Sequence, residues 1–199
     1  MAGEVVILQR LFIALELSKK QIDELYTLQM KIKGYLEGLR WVKPEEMHLT
    51  LKFLGETDEH KIDQIKKAMA NAAALISHFQ SQFGGCGVFP SAQKARVIWI
   101  GIKEGTTSIR DLAEMIENNL SGLGFEPEKH DYNPHLTLAR LRYPLSDDLI
   151  RRFLDQEISF ETSTTNLNRV VLFNSNLTRH GAVHTPIYKA YFQQDIGTQ

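Results

Sequence analysis

The amino-acid sequence predicts an α+β protein of two pseudo-symmetric lobes, each a largely antiparallel sheet with helices packed outside, facing each other across a central cleft. Three observations predict it. The tetrapeptide His-Leu-Thr-Leu occurs twice, as His48-Leu49-Thr50-Leu51 and as His135-Leu136-Thr137-Leu138. Each copy is followed by a helical pattern and then by strand-like runs, which points to an internal duplication. Helices are interspersed with hairpins, and no linker rich in Gly, Ser or Pro parts the halves, so residues 1–199 read as a single bilobal domain.

Val5–Leu17 is rich in β-branched and aromatic residues and predicts a strand, with Gln9 and Arg10 marking its start or a bend. Ser18 is an N-cap for a helix over Lys19–Leu36, where Ile22, Leu25, Leu28 and Ile32 recur at helical spacing and Gly34 and Gly38 mark the end. Trp41–Pro44 is extended and leads into the first motif strand, Met47–Leu54, which Gly55 ends. Asp58 opens a helix to about Ser77, burying Ile62, Ile65, Ala68, Met69 and Ala72. Phe79–Phe89 and Arg96–Ile102 form a hairpin across Pro90–Lys94.

A helix from Thr106 to Leu120 carries Ile109, Leu112, Ala113 and Ile116 on its buried face and stops at Gly122 and Gly124. Phe125–Pro134 is irregular; Pro134 has no backbone donor and holds Asn133 extended. The second motif strand is His135–Leu141. Asp147–Leu154 is a short helix, and Ser159–Thr164, Arg169–Asn174 and His184–Phe192 are closing strands.

Composition narrows the function classes. The net charge of −1 gives no basic field of the kind that grips long duplex nucleic acid, so an RNA substrate would be recognised locally, at an end. The single cysteine, Cys86, excludes an intrachain disulfide and a cysteine zinc cluster, and suits a reducing compartment. Met1–Arg10 lacks the basic and apolar regions of a signal peptide, and no apolar run reaches the ~20 residues of a membrane span. The expectation is a cytoplasmic monomer with no membrane partner.

On a strand, residues i and i+2 share a face. Each tetrapeptide therefore presents a His and a Thr on one side and two Leu on the other. If the two strands face one another, a phosphate between them has an imidazole on either side. A neutral ring can deprotonate water while a protonated ring donates to the leaving oxygen, and histidine is the side chain that holds both states near neutral pH. The Thr hydroxyls can donate to the non-bridging oxygens, where charge accumulates. The protein thus supplies both proton transfers, so no metal and no cofactor is expected.

With these residues in place, the chain resembles the 2H phosphoesterases, and among them the RNA 2′,3′-cyclic phosphodiesterases, also called the 2′–5′ RNA ligase family. The resemblance runs through Arg10–Leu15, Trp41–Glu56, Gly87–Pro90 with Arg96–Trp99, and His135–Arg140, in family order. It implies a bilobal fold and metal-independent hydrolysis of an RNA terminal 2′,3′-cyclic phosphate to a 2′-phosphate. It implies further that His48 is the proton donor and His135 the proton acceptor. The implied partners are RNA ends bearing the cyclic phosphate, tRNA halves among them. The alternatives are an ATP-independent 2′–5′ RNA ligase joining tRNA halves, or a related phosphodiesterase acting on 2′–5′ oligonucleotides. Met1–Gln9 extends beyond the family's usual start, as an extra strand turn or a tail.

The resemblance also makes Arg140 a contact to the substrate's phosphate or ribose. In a regular strand its odd offset from His135 places it on the opposite face; a bulge, or the long side chain curling round the strand end, would reconcile the two. Lys52 shares the parity of His48 and Thr50 and either borders the cleft or is a solvated strand-end lysine. Phe53, in phase with Leu49 and Leu51, is expected in the core. Phe89 either stacks on the terminal base or packs in the core. Arg96 can reach a phosphate or form a rim ion pair, and Tyr132 is a candidate ribose contact. His180 and His184 have the spacing of a zinc pair but no further ligand nearby, and His130-Asp131 reads as surface.

Overall fold

The computed structural model describes residues 7–128, 131–179 and 181–194. The first strand β1 (Leu8–Glu16) is followed by α1 (Lys19–Lys33), which Ser18 and Gln21 start with a reciprocal capping box. β2 (Leu39–Trp41), a 3-10 turn at Pro44–Glu46 and β3 (His48–Asp58) come next. Then follow α2 (Ile62–Ala73), β4 (Phe79–Phe89), β5 (Val97–Glu104) and α3 (Thr106–Ser121). The chain closes with β6 (Leu136–Leu141), α4 (Asp147–Glu157), β7 (Thr165–Leu167), β8 (Arg169–Thr178) and β9 (Gly181–Tyr191).

These strands make two wholly antiparallel sheets, in the orders β3-β1-β8-β9 and β2-β6-β5-β4-β7. The molecule is α+β and two-lobed, as the sequence predicts, but the lobes are not the two halves of the chain. The first sheet takes β1 and β3 from the first half and β8 and β9 from the second; the second sheet takes β2 and β4 from the first half, β6 and β7 from the second, and β5 from the middle of the chain. The helices cross over too. α2 and α3 pack together on the outside of the first sheet, touching β8, β9 and β3. α1 lies on the second sheet, where Gln29 Nε2 donates to the Val42 and Leu138 carbonyls, each at 2.9 Å. α4 packs beside it on β4, and its fully buried Glu157 accepts from Lys31 Nζ and the Tyr35 hydroxyl of α1 and its C-terminal turn.

Two expected elements differ. The strand read at Ser159–Thr164 is reduced to a single bridge, Gly84 with Glu161, and the regular strand β7 begins at Thr165. Thr162 is instead held side-on: its hydroxyl accepts from the Phe83 amide at 3.0 Å, which occupies the donor a ladder needs. Gly55 does not end the first motif strand. It takes φ +69°, open to glycine at no steric cost, and β3 continues to Asp58.

The faces follow from the alternation of side chains. Leu11, Ile13, Leu15, Leu49 and Leu51 point out from the first sheet into the main core beneath the helices. Phe12, Ala14, Val171 and Phe173 form a separate small apolar cluster on its inner face. The inner faces of both sheets line one cavity of about 740 Å³.

Candidate active site

Both tetrapeptides reach that cavity. His48 and Thr50 come from β3; His135, immediately before β6, and Thr137 come from β6, and all four line its walls. Leu49, Leu136 and Leu138 are buried on the far side. The His135 Nδ1 lies 2.7 Å from the Asn133 carbonyl; a carbonyl only accepts, so Nδ1 carries the proton and Nε2 is left for the cavity. His48 repeats the arrangement, hydrogen bonding to the backbone of Glu46, also two residues upstream. In the second motif, Pro134 has no amide to place in a ladder, which keeps the Asn133 approach out of the strand.

Each histidine rests on a stacked aromatic pair. Phe12 and Phe173 stack at 5.1 Å, and the Phe12 ring lies 4.6 Å from His48. Phe89 and Trp99 stack at 5.0 Å, and Phe89 meets His135 edge-on at 4.8 Å. Gly87 makes the second pair possible, because Trp99 lies flat against it and a Cβ there would collide with the indole ring. The 87 residues that separate His48 from His135 also separate Phe12 from Trp99.

The strand bulges decide which later residues enter the cavity. In the β1–β3 ladder Ala14 pairs with Thr50 but Ile13 with Lys52, so Leu51 is an extra residue. In the β5–β6 ladder Trp99 pairs with Thr137 but Ile98 with Ala139, so Leu138 is the extra residue. One inserted residue reverses the parity of everything after it. Arg140 therefore comes round to the side of His135 and Thr137 and lines the cavity, which settles its placement in favour of the bulge. The same reversal places two more residues. Lys52 borders the cavity but is no solvated strand-end lysine: it is buried and its charge is turned to α3, with Nζ at 2.8 and 2.7 Å from the two Glu117 carboxylate oxygens and 3.0 Å from the Glu126 carbonyl. Phe53 is not in the core: it is 64 % exposed on the cleft side, opposite Phe12.

Phe89 lines the cavity, with its face taken by Trp99. Tyr132 lines it as well, but its hydroxyl is committed, donating to the Thr50 carbonyl at 2.7 Å; it ties the second motif's approach to the first motif's strand instead of offering a free group to a ribose. Arg96 is exposed and does not line the cavity; its backbone joins the Phe89 carbonyl to the Leu141 amide. Cys86 is buried in β4 with its thiol pushed up to about 12 by burial and by Glu157, an inert strand residue. His130 and His180 lie outside the described residues.

Among the cavity residues that sequence reasoning did not assign to the site are His184, Arg10 and Arg40. His184, read only as half of a doubtful metal pair, projects from β9 edge-on to His48 at 5.2 Å and to Phe12 at 4.9 Å, with its Nδ1 buried and without a hydrogen-bond partner. Arg10 lines the cavity from β1 and Arg40 from β2. The only local signal was the phase of Arg10 with Phe12; the other two depend on which strands pair. Burial first, and then the His184 ring, push His48 down to about 4, against the opposing pull of its bond to the Glu46 backbone. His184 is itself lowered, chiefly by burial, with Glu46 opposing and Arg10 adding to the shift.

A family model described as LigT like phosphoesterase matches the chain twice in succession, over residues 15–99 and 100–184. An RNA 2′,3′-cyclic phosphodiesterase of Thermotoga maritima is 33 % identical over 187 residues, 92 % of this chain and 96 % of that one. One of Methanothermobacter thermautotrophicus is 30 % identical over 176 residues, covering 88 % and 95 %. Among solved structures, a Thermus thermophilus protein superposes with a TM-score of 0.78 at 24 % identity, covering 94 % of this chain and 99 % of that one. E. coli LigT complexed with 3′-AMP gives 0.76 at 21 %, covering 94 % and 100 %.

Proposed function

This chain belongs to the LigT-like phosphoesterases of the 2H class, and from that premise we propose that it hydrolyses the 2′,3′-cyclic phosphate at an RNA end to a 2′-phosphate. The observation that carries the proposal is the convergence of both His-Thr pairs on one cavity, each ring fixed through its backbone bond. A cyclic phosphate seated between the pairs has one imidazole toward the attacking water and one toward the leaving 3′ oxygen. Thr50 and Thr137 donate to the non-bridging oxygens.

The family resemblance makes His48 the donor and His135 the acceptor. Burial and the His184 ring hold His48 near 4, so the protein alone leaves it without a proton at neutral pH. For it to donate, the phosphate anion must restore the proton by placing a negative charge beside the ring. Ligation is the same chemistry reversed on the same site, and bulk water outcompetes a dilute RNA hydroxyl for the cyclic phosphate. Duplication of one ancestral unit is supported by the double family match and by the shared 87-residue offset, which also separates the starts of α1 and α3, Lys19 and Thr106.

The test is turnover of a short RNA ending in 2′,3′-cyclic phosphate, in EDTA, with the product isomer identified. The expected product is the 2′-phosphate. A 3′-phosphate product, or loss of turnover that zinc or magnesium restores, overturns the mechanism.

A further inference from the structure

Both motif histidines rest on a stacked aromatic pair, but His48 also meets a second imidazole. His184 of β9 stands at 89° to the His48 ring and at 79° to the Phe12 ring, with centroids 5.2 and 4.9 Å away. The β8–β9 ladder holds it there, opposite Ser175. Its Nδ1 is buried without a partner, and among the described residues no carboxylate pairs with the ring. A buried ring with nothing to bond to resists a charge.

The charged groups around the two rings leave that resistance in place. From β1, Glu16 is the cross-strand partner of His48, but it is held by Arg169 of β8 at 2.8 Å and by Lys189 of β9 at 3.5 Å. From the turn before β3, Glu46 pairs with Lys43 at 3.7 Å and only partly offsets burial at His184. Arg10 of β1 adds a positive charge that opposes protonation of His184. Across the cavity stand His135, Arg40 and Arg140 on the second sheet, and Glu128 and Asp131 on the approach to β6; none of these shifts either ring.

We propose that His184 is a positioning residue that couples proton uptake by His48 to the arrival of the phosphate. The inference rests on the hydrolase reading above, in which His48 is the donor. Two imidazoles in edge contact repel when both are charged, and burial opposes a charge on either. His184 therefore keeps His48 neutral until an anion enters beside Thr50, and the proton then comes from solvent with the ligand. In the reaction, His48 gives that proton to the leaving 3′ oxygen while His135 takes one from water. His184 resists its replacement on His48, so the 2′-phosphate leaves from a neutral ring. Every bound phosphate has to bring a proton to a ring that resists it, so affinity falls as pH rises.

The test needs no turnover. Adenosine 2′-phosphate is titrated calorimetrically into the wild type, His184→Ala and His184→Gln from pH 4.5 to pH 7.5. Without the second ring His48 protonates more readily, and each unit of that change is tenfold in the protonated fraction. His184→Ala should bind about 10- to 100-fold more tightly than wild type at pH 7.5. At pH 4.5, where the wild-type ring is itself becoming charged, the ratio should be within about fivefold. His184→Gln should fall between the two. Ionisation of the ligand and of His135 is common to all three proteins and cancels in the ratios. A residue that only packs, or that touches the ligand itself, gives weaker binding at every pH; that result, or equal affinity throughout, overturns the proposal. The His48 ring is also titrated by NMR in the ligand-free proteins, assigned with His48→Gln. A midpoint unmoved in His184→Ala overturns the coupling whatever the calorimetry gives. Turnover of the cyclic phosphate is followed in parallel. A pH-dependent ratio without turnover sinks the hydrolase reading alone; turnover with a flat ratio sinks only the role of His184.

Discussion

His48 lies 4.6 Å from Phe12 and beneath the edge of His184 at 5.2 Å, whereas His135 lies 4.8 Å from Phe89 with Trp99 behind it at 6.3 Å. The frame is common to both: a bond from each ring to the backbone two residues upstream, a stacked aromatic pair, and a bulge at the second leucine of the tetrapeptide. The differences come from strands outside that frame. β9 brings His184 to the first half, while its positional equivalent β7 has three residues, none of which lines the cavity. β2 brings Arg40 to the second half. Repetition alone would make two equivalent histidines, but acid/base catalysis needs unequal ones, and unequal surroundings are how proteins set such roles apart. The strand beside His48 supplies that inequality. At the end of each motif the same asymmetry recurs: the bulge turns Phe53 into the cleft on one side and Arg140 on the other, an aromatic face against a charge.

The largest effect expected from breaking either half is loss of a proton transfer. His48→Ala and His135→Ala should each lower kcat/KM by about 10²- to 10⁴-fold, and the double variant should be scarcely worse than either. A p-nitrophenyl phosphodiester, whose leaving group needs no proton, separates the halves. Activity should return toward wild type in the variant lacking the donor, His48→Ala, and stay low in His135→Ala. The reverse pattern would exchange the roles. Thr50→Ala and Thr137→Ala come next, at up to about 10²- to 10³-fold each, because each removes one preorganised donor to the phosphoryl oxygens. Near wild-type rates in both would remove the threonines from the site.

The third comparison concerns proton linkage. His48 is pushed from 6.5 to about 4 in the folded protein. Between those values the unfolded chain binds a proton that the native state refuses, so stability is full above about pH 6.5 and falls as pH drops toward 4. The part due to His48 is at most about 3 kcal/mol. Denaturant midpoints at pH 7 and pH 4.5 should converge in His48→Gln relative to wild type; an unchanged difference would show that the ring is not held neutral. The smallest expected change is on the other half. Gly87→Ala forces Trp99 off its seat, an overpacking of about 1–3 kcal/mol. If Trp99 and Phe89 support His135 as Phe12 and Phe173 support His48, kcat/KM should drop with KM little altered. A loss of stability with kcat/KM intact would leave the stack a packing feature only.

Much of this was legible in the chain itself. The duplicated tetrapeptide located the four residues at the centre, since alternation along a strand puts His and Thr together and the leucines behind them. Helical periodicity located α1 to α4, because a 3.6-residue apolar stripe is a local property, and Ser18 marked the start of α1 through a bond to its own first turn. What resisted reading were the elements whose identity depends on a partner. The segment at Ser159–Thr164 has strand-like composition but keeps only a single bridge to β4, because the Phe83 amide donates to the Thr162 hydroxyl and not to the backbone. Phe53 was assigned to the wrong face, and Lys52 and Arg140 were left undecided, for one reason: parity counted along a single strand assumes that its neighbour keeps step. A bulge is a mismatch of two residues against one between strands that lie far apart in the sequence, β1 with β3 and β5 with β6. The sequence determined by itself which side chains repeat and what chemistry they can perform together. The tertiary structure decided where the count shifts, which half of the chain each sheet borrows from, and therefore that His184 stands beside His48 and Arg40 beside Arg140. Those are contacts between residues whose separation no local interaction can bridge.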